Sequence, residues 1–223
     1  MPLLLIDLDN TLIDRDGAFR EAAAAFLAGH ALPEADVAWV MAADEGGYAT
    51  RESVADALRA RYGGRVPEAA VRALVDGGAA DRVVLADTVR AALTDARALG
   101  WTCAVVTNGR TRQQETKIRR TGLDTLVDGW AVSEAVGHAK PAPALFHAAA
   151  GAAGASVDPA TTWVVGDSAH ADIGGAHALG LRSVWVANGR DWPAGHPFTP
   201  TRTAPDAAAA IRGAVTAGDA LPA

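Results

Sequence analysis

Leu3-Leu4-Leu5-Ile6-Asp7-Leu8-Asp9-Asn10-Thr11 runs from four large apolar side chains straight into two carboxylates separated by one residue. An apolar run without polar alternation is what a strand covered on both faces requires, and such strands belong to parallel sheets flanked by helices. Two carboxylates ending an apolar strand are poor choices for a plain turn. The stretch therefore predicts a buried strand that delivers acid to one edge of a sheet.

Four more short apolar runs lie further along: Thr102–Thr107, Trp130–Ser133, Thr162–Gly166 and Ser183–Ala187. Helical patterns separate most of them, at Thr88–Leu99, Arg112–Thr121, Ala142–Ala150 and Ala171–Leu179, with Gly122 and Gly180 as stop signals. Alternating strand and helix predicts an α/β fold with a doubly wound parallel sheet of about five strands. One spacing breaks the rhythm, because after Asp7 the next βα unit begins only near Asp87. The stretch between reads as helices, with Phe19, Ala23, Phe26 and Leu27 on one face and Val54, Leu58 and Tyr62 on another. Residues 15–82 are thus expected to form an all-helical domain inserted after strand one, and residues 1–14 and 83–223 the sheet domain. The tail Asp191–Pro205 is Pro-rich and reads as irregular, followed by a closing helix at Pro205–Val215.

The 223 residues are half hydrophobic and carry a net charge of −6, so bulk charge gives no reason to bind nucleic acid. Cys103 is the only cysteine, which excludes an intramolecular disulfide and a cysteine-ligated zinc site. Its place in the apolar run Trp101–Val106 predicts a small buried hydrophobe. No basic n-region precedes Leu3–Ile6, and no stretch is apolar for long enough to span a bilayer. A cytoplasmic protein without membrane or obligate protein partner is expected.

Ligands of open α/β sheets bind at the carboxyl ends of the strands. Those ends here deliver Asp7 and Asp9, then Thr107-Asn108-Gly109, then Lys140-Pro141, then Gly166-Asp167-Ser168 with Asp172 five residues on from Asp167. Four segments thus bring carboxylates, one ammonium and small hydrogen-bonding groups to one edge. Hydrolysis of a phosphomonoester needs such a set. A carboxylate can attack a phosphate dianion only where cations neutralise the oxygens, and Mg²⁺ with hard oxygen ligands and Lys140 would provide that charge. The Thr107 hydroxyl and nearby N–H groups would supply oriented donors. A carboxylate two residues beyond the nucleophile could protonate the leaving alkoxide and then activate water.

Asp-x-Asp-x-Thr, Thr-Asn-Gly, Lys-Pro and Gly-Asp-Ser-x-x-x-x-Asp, in this order and each at a strand end, resemble the four motifs of the haloacid dehalogenase superfamily. The resemblance spans Leu3 to about Asn188 and implies a Rossmann-like core with a helical C1 cap. It implies that Asp7 is the nucleophile and a metal ligand, and that Asp9 is the acid/base with its backbone carbonyl on the metal. Thr107, Asn108 and Lys140 would hold the phosphoryl group, and Asp167 and Asp172 would complete the Mg²⁺ site. Val105–Phe146 is further similar to the branch of pyrimidine nucleotidases and N-acylneuraminate-9-phosphatases. Ala142 stands where many members carry Asp, and Ala139 where a larger residue is common.

The implied substrate is a small phosphorylated metabolite, a nucleotide or sugar phosphate among the options, with Tyr48 and Arg51 in the cap as contacts to it. Phosphomutase, 2-haloacid dehalogenase and a silent binding protein are the alternatives on the same scaffold, and Asp9 argues against the dehalogenase. His138 and His170 are expected at the surface. Lys117, set among charged neighbours in mid-helix, is expected to be solvated.

Overall fold

The computed structural model describes residues 1–219. The chain divides into two compact units, Asp14–Val84 and a second made of Met1–Ile13 with Leu85 onward.

In the second unit the strands β1 (Leu3–Ile6), β2 (Thr102–Thr107), β3 (Gly129–Val132), β4 (Thr162–Gly166), β5 (Arg182–Val186) and β6 (Arg202–Ala204) form one sheet in the order β3-β2-β1-β4-β5-β6. Every neighbouring pair is parallel. Five strands match the apolar runs. The sixth, β6, lies in the Pro-rich tail expected to be irregular: three residues long and mostly exposed, it carries no apolar run to read. All four residues of β1 are fully buried, as a central strand of this sheet demands. Leu3 and Leu5 point to the same face and join Ala104, Val106 and Val164 in a core closed by Leu145 and Phe146. Those two belong to α8 (Pro143–Ala152), which begins on a proline whose fixed φ suits a first helical position.

The helices α5 (Asp87–Ala98), α6 (Thr111–Arg120), α9 (Gly174–Ala178) and α10 (Ala207–Asp219) complete this unit, with a short helix α7 (Ser133–Val136) and a π-helical turn at Ala169–Ile173. The order turns back at β1, with β2 on one side and β4 on the other. The crevice between the carboxyl ends of β1 and β4 is the switch point where such sheets bind ligands. Asp7 follows β1 and Asp167 follows β4, one on each side of it.

The unit Asp14–Val84 is helical throughout: α1 (Arg15–Gly29), α2 (Val37–Asp44), α3 (Arg51–Tyr62) and α4 (Glu68–Gly77), joined by short 3₁₀ turns. Its own apolar faces, among them Phe19, Ala23, Leu27, Val54, Leu58 and Tyr62, are buried. Arg15 is buried against Asp44 in a forked ion pair, with Nη2 2.7 Å from Oδ1. The other oxygen, Asp44 Oδ2, accepts the Gly47 N–H at 2.9 Å. This arrangement holds the turn that leads to Tyr48.

Candidate active site

β1 ends inside the core, so Asp7 emerges where water is scarce and is only 7% exposed. Its Oδ1 lies 2.5 Å from the Lys140 ammonium, and its Oδ2 accepts the Thr11 hydroxyl at 3.1 Å. Lys140, itself buried, also donates to the Val106 carbonyl at 2.8 Å and lies 2.7 Å from Asp172 Oδ1. That last contact is a buried ion pair, so one ammonium serves two carboxylates. The other oxygen, Asp172 Oδ2, accepts the Ser168 N–H at 2.9 Å.

Asp172 fits because residue 166 is glycine: a Cβ there would stand 2.2 Å from the Asp172 carboxyl carbon. The space a side chain would fill at the end of β4 is taken by a fully buried carboxylate. Asp167 is held from outside by Arg190, whose Nη2 lies 2.9 Å from Oδ2, and Trp185 Nε1 donates to its carbonyl at 2.8 Å.

One oxygen from each of Asp7, Asp167 and Asp172 lies within 4.8 Å of the others. Burial pushes the Asp7 carboxyl up, Lys140 pulls it down, and Asp172 and Asp167 push it up again, leaving it at about 8. Asp167 is raised to about 6 by burial and by Asp172, against the pull of Arg190. Burial opposes the Lys140 ammonium, but Asp172 and Asp7 outweigh it and its pKa is raised. Lys140 and Arg190, two positive charges, do not balance three crowded carboxylates. A hard divalent cation taking one oxygen from each would, since all three carboxylates offer hard oxygen donors to one place. The donor set therefore fits Mg²⁺.

A pH dependence follows. Without metal, Asp7 and Asp167 bind protons more tightly folded than unfolded. Their contribution to stability is full below the ordinary carboxylate range and is lost as pH rises through about 6 and then about 8. Mg²⁺ takes ionised carboxylates, so its stabilisation should grow over the same window. Thermal melts with and without MgCl₂ are expected to differ more at about pH 8 than at about pH 5.5. An equal difference at both, or one that Asp167→Asn leaves unchanged, would contradict the assignment.

Thr107 and Asn108 stand at the end of β2. The Thr107 hydroxyl is buried and accepts Gln114 Nε2 at 2.6 Å. The amide of Asn108 is used at both ends by the Lys140 backbone: Oδ1 accepts its N–H at 2.8 Å, and Nδ2 donates to its carbonyl at 3.2 Å. Asn108 thereby fixes the chain that carries the ammonium.

The Asp9 carboxylate faces a different set of groups. Both of its oxygens lie 2.7 Å from the Lys117 ammonium, and Oδ2 also accepts Gln114 Nε2 at 3.0 Å. Lys117 is only 2% exposed, which corrects the expectation of a solvated side chain. Its sequence neighbours are charged because they occupy the outer face of α6, whereas positions 114, 117 and 118 share the inner one. That face carries Gln and Lys where apolar residues would be expected, and Ile118 is its one apolar marker.

His138 and His170 are exposed, as expected. Cys103 is buried, and burial pushes its thiol up to about 12, so it is an inert core residue. In the helical unit, Tyr48 is 72% exposed, and Arg51 donates from Nε to the Val75 carbonyl at 2.9 Å. Among the described residues no helix is long and apolar enough to cross a membrane.

Fold and site together define a doubly wound α/β protein with a carboxylate-and-lysine centre at its switch point. A family model of haloacid dehalogenase-like hydrolases matches residues 1–180, and the chain belongs to that family. It is 38% identical over 100 residues to pyrimidine 5'-nucleotidase YjjG of Escherichia coli (strain K12), covering 44% of this chain and 43% of that one. It is 37% identical over 108 residues to phosphoserine phosphatase of Thermus thermophilus, covering 48% of this chain and 43% of the other. The matches thus span less than half the length of these relatives. The solved HAD-hydrolase YfnB of Bacillus subtilis, bound to magnesium, has the same fold, with a TM-score of 0.75 and 22% identity over 98% of each chain.

Proposed function

We propose that this chain hydrolyses a small phosphomonoester through an aspartyl-phosphate on Asp7. The observation that carries the reading is the buried Asp7 carboxylate, held between Lys140 and two further carboxylates at the switch point of the sheet. Mg²⁺ would be held by Asp7, Asp167, Asp172 and the Asp9 backbone carbonyl, and when bound supplies the charge that lets a carboxylate approach a phosphate dianion. Lys140 adds a second positive charge, and Thr107 and Asn108 line the place of the phosphoryl group. An Asp7 oxygen forms the new bond to phosphorus as the bond to the leaving oxygen breaks, and Asp9 gives that oxygen its proton. Asp9 then takes a proton from water as the water oxygen attacks phosphorus. The Asp7–phosphorus bond breaks, releasing inorganic phosphate and the free carboxylate.

The relatives named for a nucleotidase and a phosphoserine phosphatase support a phosphorylated metabolite as substrate. The helical unit acts as the cap in this reading, with Tyr48 and Arg51 as its contacts to the part of the substrate that leaves.

Phosphate release from p-nitrophenyl phosphate, and from a panel of phosphorylated metabolites, tests the proposal. Activity with MgCl₂ that EDTA removes and excess Mg²⁺ restores is the expected result. Arg51→Ala should slow the best metabolite more than p-nitrophenyl phosphate, which offers a cap cation little to hold. No Mg²⁺-dependent release from any phosphomonoester would remove the reading.

A further inference from the structure

Lys117 is a buried ammonium outside the carboxylate cluster, and the groups it meets are both oxygens of Asp9 at 2.7 Å. Taking an ammonium out of water is costly, and a helix face packed on a sheet has no need of one. The cost is met here by a carboxylate that is itself 27% exposed, so one partner is sealed in and the other reaches toward solvent. Two contacts of equal length to one ammonium fix both the direction and the rotation of the carboxyl plane.

Gln114 adds a third contact to Asp9 and ties the same amide to the Thr107 hydroxyl. Residue 109 is glycine at φ 142°, and a Cβ there would press on the Gln114 side chain at 3.0 Å. The turn after β2 is thus shaped to admit Gln114. One face of α6 therefore ties the Asp9 carboxylate, three residues beyond β1, to the end of β2.

We propose that Lys117, aided by Gln114, is a positioning residue: it sets the orientation from which Asp9 protonates the leaving oxygen. The inference rests on the proposed phosphatase reading. It differs from a stabilising ion pair in what it predicts, because a residue that acts through Asp9 matters only when proton transfer matters, and only while Asp9 can transfer a proton.

The test measures kcat/KM, which reports only steps up to departure of the leaving group, for Lys117→Met in the wild-type and Asp9→Asn backgrounds. The probes are glycerol 2-phosphate, whose alkoxide needs a proton, and p-nitrophenyl phosphate, whose phenolate does not. In the wild-type background Lys117→Met is expected to lower kcat/KM for glycerol 2-phosphate by roughly 10–100-fold, part of the range for general acid catalysis, and that for p-nitrophenyl phosphate by less than about threefold. In the Asp9→Asn background it should add less than about twofold on either probe, since residues acting as a unit are not additive. Equal losses on both probes, or the same loss in both backgrounds, would overturn the proposal and leave Lys117 a structural residue. If Lys117→Met does not fold, as judged by circular dichroism, Lys117→Arg keeps the charge while moving its donors. It should show the same selective loss in smaller measure, and equal losses on the two probes would again overturn the proposal. A wild-type enzyme inactive on both probes is a separate outcome that removes the phosphatase reading and this inference with it.

Discussion

Asp7→Asn is expected to abolish turnover, by at least about 10³-fold in kcat, while leaving the fold intact. The amide matches the carboxylate in shape but is neutral and a poor nucleophile. Within the cluster, only Asp7 has Lys140 on one oxygen and a hydroxyl donor, Thr11, on the other. Asp172 is fully buried behind Gly166, and Asp167 is engaged by Arg190, so neither is placed to take over. The same change should raise the melting temperature of the metal-free protein at about pH 8, because it removes one of three crowded carboxylates that burial and like charge disfavour. Steady-state kinetics and thermal melts on one preparation check both halves. Activity within tenfold of the wild type would sink the assignment of Asp7.

The second large effect is expected at Asp9. Asp9→Asn should slow hydrolysis of alkyl phosphates by roughly 10²–10⁴ in kcat/KM, the range of general acid catalysis. Aryl phosphates with good leaving groups should lose much less, because departure of their phenolate needs no proton. A plot of log kcat/KM against leaving-group pKa should therefore steepen in the variant. Parallel plots for the two enzymes would mean that Asp9 is not the leaving-group acid. The variant should also melt lower than the wild type, since the buried Lys117 ammonium exchanges a carboxylate for a neutral amide.

The sheet was legible in the sequence because its central strands are buried on both faces and so must be written in apolar residues without alternation. β1, Leu3–Ile6, is the plainest case. The carboxylates at the strand ends stood out for a related reason: two of them closing a buried apolar strand are poor choices for a plain turn. β6 was not legible, because an edge strand of three mostly exposed residues carries no such mark. Lys117 was hidden by its neighbours, whose charges belong to the outer face of α6, and periodicity shows a buried face only when that face is apolar. Gln114 shares that face and was hidden in the same way. Arg190 lies far along the chain in an irregular stretch, and only the sheet order brings it to Asp167.

The central claim is a covalent phosphoryl group on Asp7, and trapping it is the most direct test. Enzyme turning over p-nitrophenyl phosphate with Mg²⁺ would be quenched in acid, digested and mapped by mass spectrometry. The account predicts a phosphoryl group on the peptide bearing Asp7, lost on mild alkaline treatment and absent from Asp7→Asn. Turnover with the phosphoryl group on another residue, or with undiminished trapping in Asp7→Asn, would contradict it.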